Sequence, residues 1–301
     1  MWLLFAFSGP VLWAASTHID KYLVDRYFRN SDTTVLIVFT ALIGLVILPF
    51  IAVLQPHALR LAPESALVMT ASGILYMTAM LFYLRAIQSE EASVIAPLFQ
   101  ASTIFTFILG YLLLGETLTL AKLAGVALIV GGAILLAAGR RSRHAPFNIK
   151  MIALMLGCTF VVALSSVIFK LFAVRNDFWS TTFWMFLGEA LFGAGVLAIP
   201  RYRRQFLALL KTNTSALLAI NGANELINLG GGLGVRFASL LAPVALVSAV
   251  SSTTPLFVFG FGIGLSLLAP HVAQEDLSVP NLIRKGLAAA IVALGVALVA
   301  A

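Results

Sequence analysis

Trp13-Ala14-Ala15-Ser16-Thr17-His18-Ile19-Asp20-Lys21 is met again as Val162-Ala163-Leu164-Ser165-Ser166-Val167-Ile168-Phe169-Lys170, 149 positions later, and Arg26 then falls on Arg175. Further on, Ser93 to Phe105 lies against Ala245 to Phe257 at an offset of 152, and Lys122 and Gly132 match Lys285 and Gly295 at 163. The offset grows only between apolar segments, as a duplication with loop insertions requires. A repeat of this period decides the architecture before any local reading does.

Composition says what kind of segment is repeated. Of 301 residues, 61% are hydrophobic and 10% charged, and the mean hydropathy is +1.03. Soluble domains average ~45–50% apolar and ~25% charged, and so few charges cannot cover a water-facing surface. This excludes an ordinary cytosolic enzyme, a disordered chain and a disulfide-built secreted module. The formal net charge of +7 reads as loop anchoring to anionic lipid, not as nucleic-acid binding. Cys158 is the single cysteine, so no intrachain disulfide or cysteine metal cage can form. His18, His57, His144 and His271 show no ligand spacing. No metal and no cofactor is expected.

Charge-poor apolar windows near 2–20, 33–54, 64–86, 93–114, 119–138, 149–173, 179–200, 212–236, 242–268 and 283–301 predict ten spans. Phe237 to Pro270 carries no charge and is too long for one span, so Pro243 is expected to open the ninth after a turn over Ser239 to Ala242. No Lys or Arg precedes Lys21, which argues against a cleaved leader, and the repeat pairs the first segment with an internal helix. Two units follow, residues 1–140 and 147–301, with five spans each. Five is odd, so halves that fold alike sit upside down relative to each other. The expected fold is an all-α polytopic membrane protein, its ten transmembrane helices forming two inverted five-helix repeats. Such repeats are typical of secondary transporters, whose site lies near the midplane between the halves, although some channels share the design.

These residues carry a family resemblance. Trp13, Ser16 and Lys21 in the first helix, Leu112-Leu113-Leu114-Gly115-Glu116 at the end of the fourth, the Gly125 to Gly132 stretch of the fifth, Lys170 at the place of Lys21, and Pro255 in the ninth resemble the EamA-type, ten-helix members of the drug/metabolite transporter superfamily. The resemblance implies the fold above, a transport role without enzymatic activity, and termini in the cytoplasm; it does not specify a substrate. Thr103 stands where the first half would carry its proline, and Glu275-Asp276 follow a longer insert where the second half would carry Leu-Gly-Glu.

The informative polar residues are those at mid-depth, because an ionised side chain at a helix centre costs around 2.5–3.5 kcal/mol on insertion scales. Glu189 and Glu225 are so placed. Asn221, Asn224, Glu225 and Asn228 stand at i, i+3, i+4 and i+7, on one helical face that lipid would not tolerate. Each glutamate is a candidate for the substrate site or for a coupled proton; each could instead cement helix contacts by hydrogen bonding. Gly230-Gly231-Gly232-Leu233-Gly234 follows, either as a close-packing face in GxxxG spacing or as a flexible segment beside the site.

Lys21 and Lys170 form a repeat-related pair, expected either to snorkel to the headgroups or to face the cavity and attract a carboxylate or neutralise Glu189 or Glu225. Trp13, Tyr76, Tyr83 and Trp184 are candidate cavity-lining aromatics, while Trp2 and Trp179 read as interface anchors. Gln100, Ser102 and Thr103, with Ser251, Ser252 and Thr254 at or near their repeat mates, supply hydroxyls and amides. Glu90, Glu91 and Glu116 fall at span ends and are expected to be solvated. Loops of one parity hold 14 Lys/Arg against 5 for the other, Arg60, Lys122, Lys170, Arg175 and Arg236. By the positive-inside rule this puts both termini outside the cytoplasm, opposite to the resemblance, so the side stays open.

The expected function is secondary, non-ATP transport of a small polar or amphipathic metabolite by alternating access, with the lipid bilayer and protons as further partners, in a bacterial inner membrane, as a monomer or homodimer. A membrane enzyme would need a nucleophile with a base, or a metal cluster, at depth, and no His lies clearly mid-span. A non-transporting receptor or assembly subunit is the alternative.

Overall fold

An apolar run away from water can satisfy its backbone groups only as a helix or a closed barrel, and the computed structural model takes the first course. It describes residues 1–26, 32–89, 98–137, 149–212, 214–268 and 278–301, and every regular element among them is a helix. Glu90, Glu91, Ser93 to Pro97, the Arg140-Arg141-Arg143 cluster, His144, His271 and Glu275-Asp276 lie outside the described residues.

In chain order the helices are α1 (Trp2–Arg26), α2 (Thr33–Leu54), a 3-10 turn (Pro56–Arg60), α3 (Pro63–Ser89), α4 (Ala101–Leu114), α5 (Leu120–Ala137), α6 (Ile149–Arg175), α7 (Phe178–Ala198), α8 (Pro200–Thr212), α9 (Thr214–Leu241), α10 (Val244–Ser251), α11 (Thr254–Leu268) and α12 (Val279–Ala300). Among the described residues, seven helical segments are long and apolar enough to cross a membrane, α10 with α11 counting as one; α4 and α5 are shorter apolar helices. The chain is a multi-pass membrane protein. The helix α9 has the length of a span, 28 residues, and carries the polar stripe.

Packing joins α1 to α9, α10 and α11, α6 to α3 and α4, α7 to both α2 and α3, and α5 to α12. Lipid supplies no hydrophobic drive between helices, so small residues that let backbones approach hold such crossings together. A side chain at Gly188 would overlap the carbonyl of Thr70, and one at Gly73 the carbonyl of Met185. At the α5–α12 crossing, a Cβ on Gly125 would lie 2.8 Å from the Gly295 oxygen, and one on Gly295 2.7 Å from the Gly125 oxygen.

Five elements differ from the sequence reading. The helix α1 continues past 20 to Arg26, so Asp20 and Lys21 lie within it. The segment after 200, read as a charged connection, is the helix α8, whose Leu209 packs with Leu23, Val35, Leu36 and Phe39 while Arg201, Arg203, Arg204 and Lys211 stay exposed; the missed signal is its helical amphipathicity. The helix α9 runs through Ser239 to Leu241, which compresses the expected turn and puts Arg236 inside a helix. The ninth span is broken at Ser252-Thr253, where Pro255 has no N–H for Ser251 and the Thr254 hydroxyl donates to the Ser251 carbonyl instead, at 2.7 Å. The fourth segment also turns at Gln100, just before α4, here without a proline, since the Thr103 N–H donates to the Gln100 carbonyl at 3.1 Å.

Candidate functional site

The polar face of α9 meets α1 and α2. Asn221 and Glu225 are 3% exposed and Asn224 is fully buried. The Asn224 amide donates to Asp20 Oδ1 at 2.7 Å, and the Ser16 hydroxyl donates to Asp20 Oδ2 at 3.4 Å. From α2, the Thr40 hydroxyl donates to Glu225 Oε1 at 2.8 Å. One turn on, the Asn228 carbonyl accepts a bond from Trp13 Nε1 at 3.4 Å. Three buried acceptors, Asn221 Oδ1, Asn224 Oδ1 and Glu225 Oε2, have no hydrogen-bond partner. Asp20, the last position of the expected first span, carried no role in the sequence reading. Its signal was available, since it is an acid one turn beyond Ser16 in the repeated stretch.

The glycine stretch serves this contact. The helix α9 is continuous across Gly230 to Gly234, and a Cβ on Gly231 would come within 3.0 Å of Trp13 Nε1 and 3.3 Å of Gly9 Cα, while one on Gly234 would overlap the Ser8 hydroxyl. The stretch is a close-packing face against α1, not an unwound segment.

Glu189 belongs to a second centre, with a partner the sequence reading did not name. Arg236 Nη2 lies 2.8 Å from Glu189 Oε1, with side-chain exposures of 16% and 7%. The guanidinium also sits over the rings of Phe186 at 4.7 Å and Phe169 at 5.6 Å, contacts that suit a cation removed from water. Tyr76 packs beside this centre with Met185 and Trp184. The Trp184 indole donates to the Ala58 carbonyl at 3.0 Å, which ties α7 to the 3-10 turn, and Tyr83 packs on Phe99. Residues 225 and 236 are 11 apart, about three turns or ~16 Å along one face of α9.

The two lysines do different things. Lys170 Nζ contacts Glu116 Oε1 at 2.5 Å and donates to the Ala242 carbonyl at 2.7 Å. Glu116 Oε2 in turn accepts the Val244 N–H at 2.9 Å. Gly115, at φ 66°, reverses the chain in a conformation that glycine adopts without strain, and so places Glu116 against α6. Glu116 is therefore no solvated span-end residue. Lys170 neutralises neither Glu189 nor Glu225, and Lys21 is exposed on α1. Lys170, Glu116, Leu113 and Val174 line a cavity of about 270 Å³; Glu225 is not among its lining residues. Thr103 and Ser248 join α4 to α10 through their hydroxyls at 3.1 Å.

Comparison with known proteins gives matches of three kinds. Residues 1–138 match the model of the EamA-like transporter family. An uncharacterised transporter encoded in the cobO 3' region of a Sinorhizobium species is 41% identical over 71 residues, which are 24% of this chain and 50% of that protein; the chain thus spans half the length of this relative. A solved crystal structure, described only as that of a protein, matches 99% of this chain and 95% of the other with a TM-score of 0.67 at 17% identity, a likeness of fold alone. Over residues 1–138, a little under half of its length, the chain is thus similar to the EamA-like transporter family.

Proposed function

We propose that the protein is a secondary transporter of a small polar or amphipathic metabolite, working by alternating access between two inverted five-helix units, residues 1–140 and 147–301, in a bacterial inner membrane. The observation that carries this reading is the buried stripe Asn221, Asn224, Glu225 on α9, with acceptors unpartnered. A helix that only needed to pack would not keep unsatisfied polar atoms away from water, since each costs about 1–3 kcal/mol.

The packing scheme supports the inverted repeat. Counting α10 with α11 as the ninth span and α9 as the eighth, adding five to each partner turns the first–eighth contact into sixth–third and the fourth–sixth contact into ninth–first, and leaves second–seventh and fifth–tenth unchanged. All of these contacts are present. The breaks at Gln100 and Ser252 are 152 positions apart, the offset of the repeat at that point. Broken helices near a site are a recurring device of transporters.

Trp13, Asn221, Asn224, Glu225 and Asn228 are the proposed substrate-contacting residues, now joined by Asp20 and Thr40. Glu189, Tyr76 and Lys170 hold the moving parts in register, and Lys21 faces outward. Glu225 is the candidate for a coupled proton, because Glu189 has a cation beside it. Purified protein in proteoliposomes should take up a subset of a broad panel of small solutes when a proton gradient is imposed, and the Glu225→Gln variant should lose the dependence on that gradient. No flux for any solute would favour a receptor or assembly subunit instead.

A further inference from the structure

The donors of the site on α9 are committed to its two carboxylates, those of Asn224 and Ser16 to Asp20 and those of Thr40 and Asn228 to Glu225, while several of its acceptors stay unmatched. The site brings together two carboxylates, Asp20 and Glu225, and three buried oxygens without partners, on Asn221, Asn224 and Glu225. The Asn224 amide is oriented by its bond to Asp20, which leaves its oxygen on the same side chain unmatched. Among the described residues, neither Asp20 nor Glu225 has an ion-pair partner; the interior cations Lys170 and Arg236 are taken by Glu116 and Glu189. His18, on the same helix as Asp20, is held by the Val258 carbonyl at 3.1 Å.

A ligand that completes this arrangement brings positive charge and several N–H groups, and no acceptor is needed at that end. A carboxylate or phosphate would face like charge and compete with Asp20 and Glu225 for donors already bonded to them. A primary ammonium offers three donors and one charge on a small head, and charge-assisted bonds are the strong ones where water is excluded. We propose that Asp20, Asn224 and Glu225, with Asn221 and Thr40, form the subsite for a primary ammonium group on the solute, an inference that rests on the transporter reading above.

The test uses the full-length protein in nanodiscs and three probes at matched ionic strength, with potassium chloride as the reference: n-butylammonium chloride, potassium butyrate and sodium chloride. Ligands that bind the native state raise its melting temperature. A saturable rise with n-butylammonium and none with butyrate is expected, with the apparent affinity falling about tenfold or more in Asp20→Asn and Glu225→Gln. The comparison of probes on the unaltered protein stands even if a variant does not fold. An equal rise with butyrate, a rise with sodium alone, or an n-butylammonium rise unchanged in both variants would overturn the proposal. Flux separates the two readings. Binding through Glu225 with no solute moved in proteoliposomes would refute transport and keep the site, whereas uptake of an amine-free solute that n-butylammonium does not inhibit would refute the site and keep transport.

Discussion

Arg236 of α9 meets Glu189 of α7 at 2.8 Å, both withdrawn from solvent. Removing one member of a buried pair strands the other charge, at about 3–5 kcal/mol, whereas replacing both by apolar residues of similar volume is often tolerated. Arg236→Met and Glu189→Leu should each lower the melting temperature of the purified protein sharply, and the double variant should recover most of the loss. Additive losses in a double-mutant cycle would show that the two do not act as a pair.

Helix crossings make a second prediction. Gly188→Ala places a Cβ against the Thr70 carbonyl, a backbone atom that cannot swing aside, while Gly232→Ala meets nothing within 4 Å. Overpacking costs typically ~1–3 kcal/mol, and Ala is the better helix former by ~1 kcal/mol. Thermal melting should therefore show Gly188→Ala destabilised and Gly232→Ala unchanged or stabilised.

The two lysines should separate by the same assay. Lys170→Met leaves Glu116 half-buried and without its cation and should cost about 3 kcal/mol. Lys21→Met, at an exposed position, should stay within about 0.5 kcal/mol.

Two aspartates cap helices, Asp32 at α2 and Asp177 at α7. Asp32 accepts the Thr34 N–H at the start of α2, and Asp177 the Ser180 N–H at the start of α7, both at 2.9 Å. Burial pushes each carboxyl up, but hydrogen bonds from Thr34 and the charges of Arg201 and Arg85 outweigh it at Asp32, and those from Ser180 together with His57 do so at Asp177. Both are held below the ordinary 3.8. A lowered folded value means stabilisation that is complete above 3.8 and lost as the pH falls through the lowered value. Asp177→Ala should cost about 1 kcal/mol at pH 7, and its melting temperature should converge on that of the unaltered protein as the pH falls below 3.8.

The asparagine stripe was legible because helical periodicity is local: positions 221, 224, 225 and 228 share a face whatever surrounds them. The repeat and the apolar windows were legible for a similar reason, since the thickness of a bilayer imposes a length on each span. The positions at which helices end or break were less so. Arg236 looked like a span end and Asp20 like the last residue of another, because a charge closes an apolar window whether or not the helix continues beyond it.

From the sequence alone came the apolar helical segments and the candidate acids. Only the tertiary structure decided which acid is paired and which is left open. Glu189 and Arg236 are 47 positions apart, and Asp20 and Asn224 are 204 apart, so no pattern within a helix links them. Their meeting depends on the depth and rotation of each helix, which are fixed where glycine faces such as Gly9 with Gly231, and Gly73 with Gly188, allow backbones to touch. With Arg236 committed to Glu189 and Lys170 to Glu116, the carboxylates of Asp20 and Glu225 are left without an ion-pair partner among the described residues.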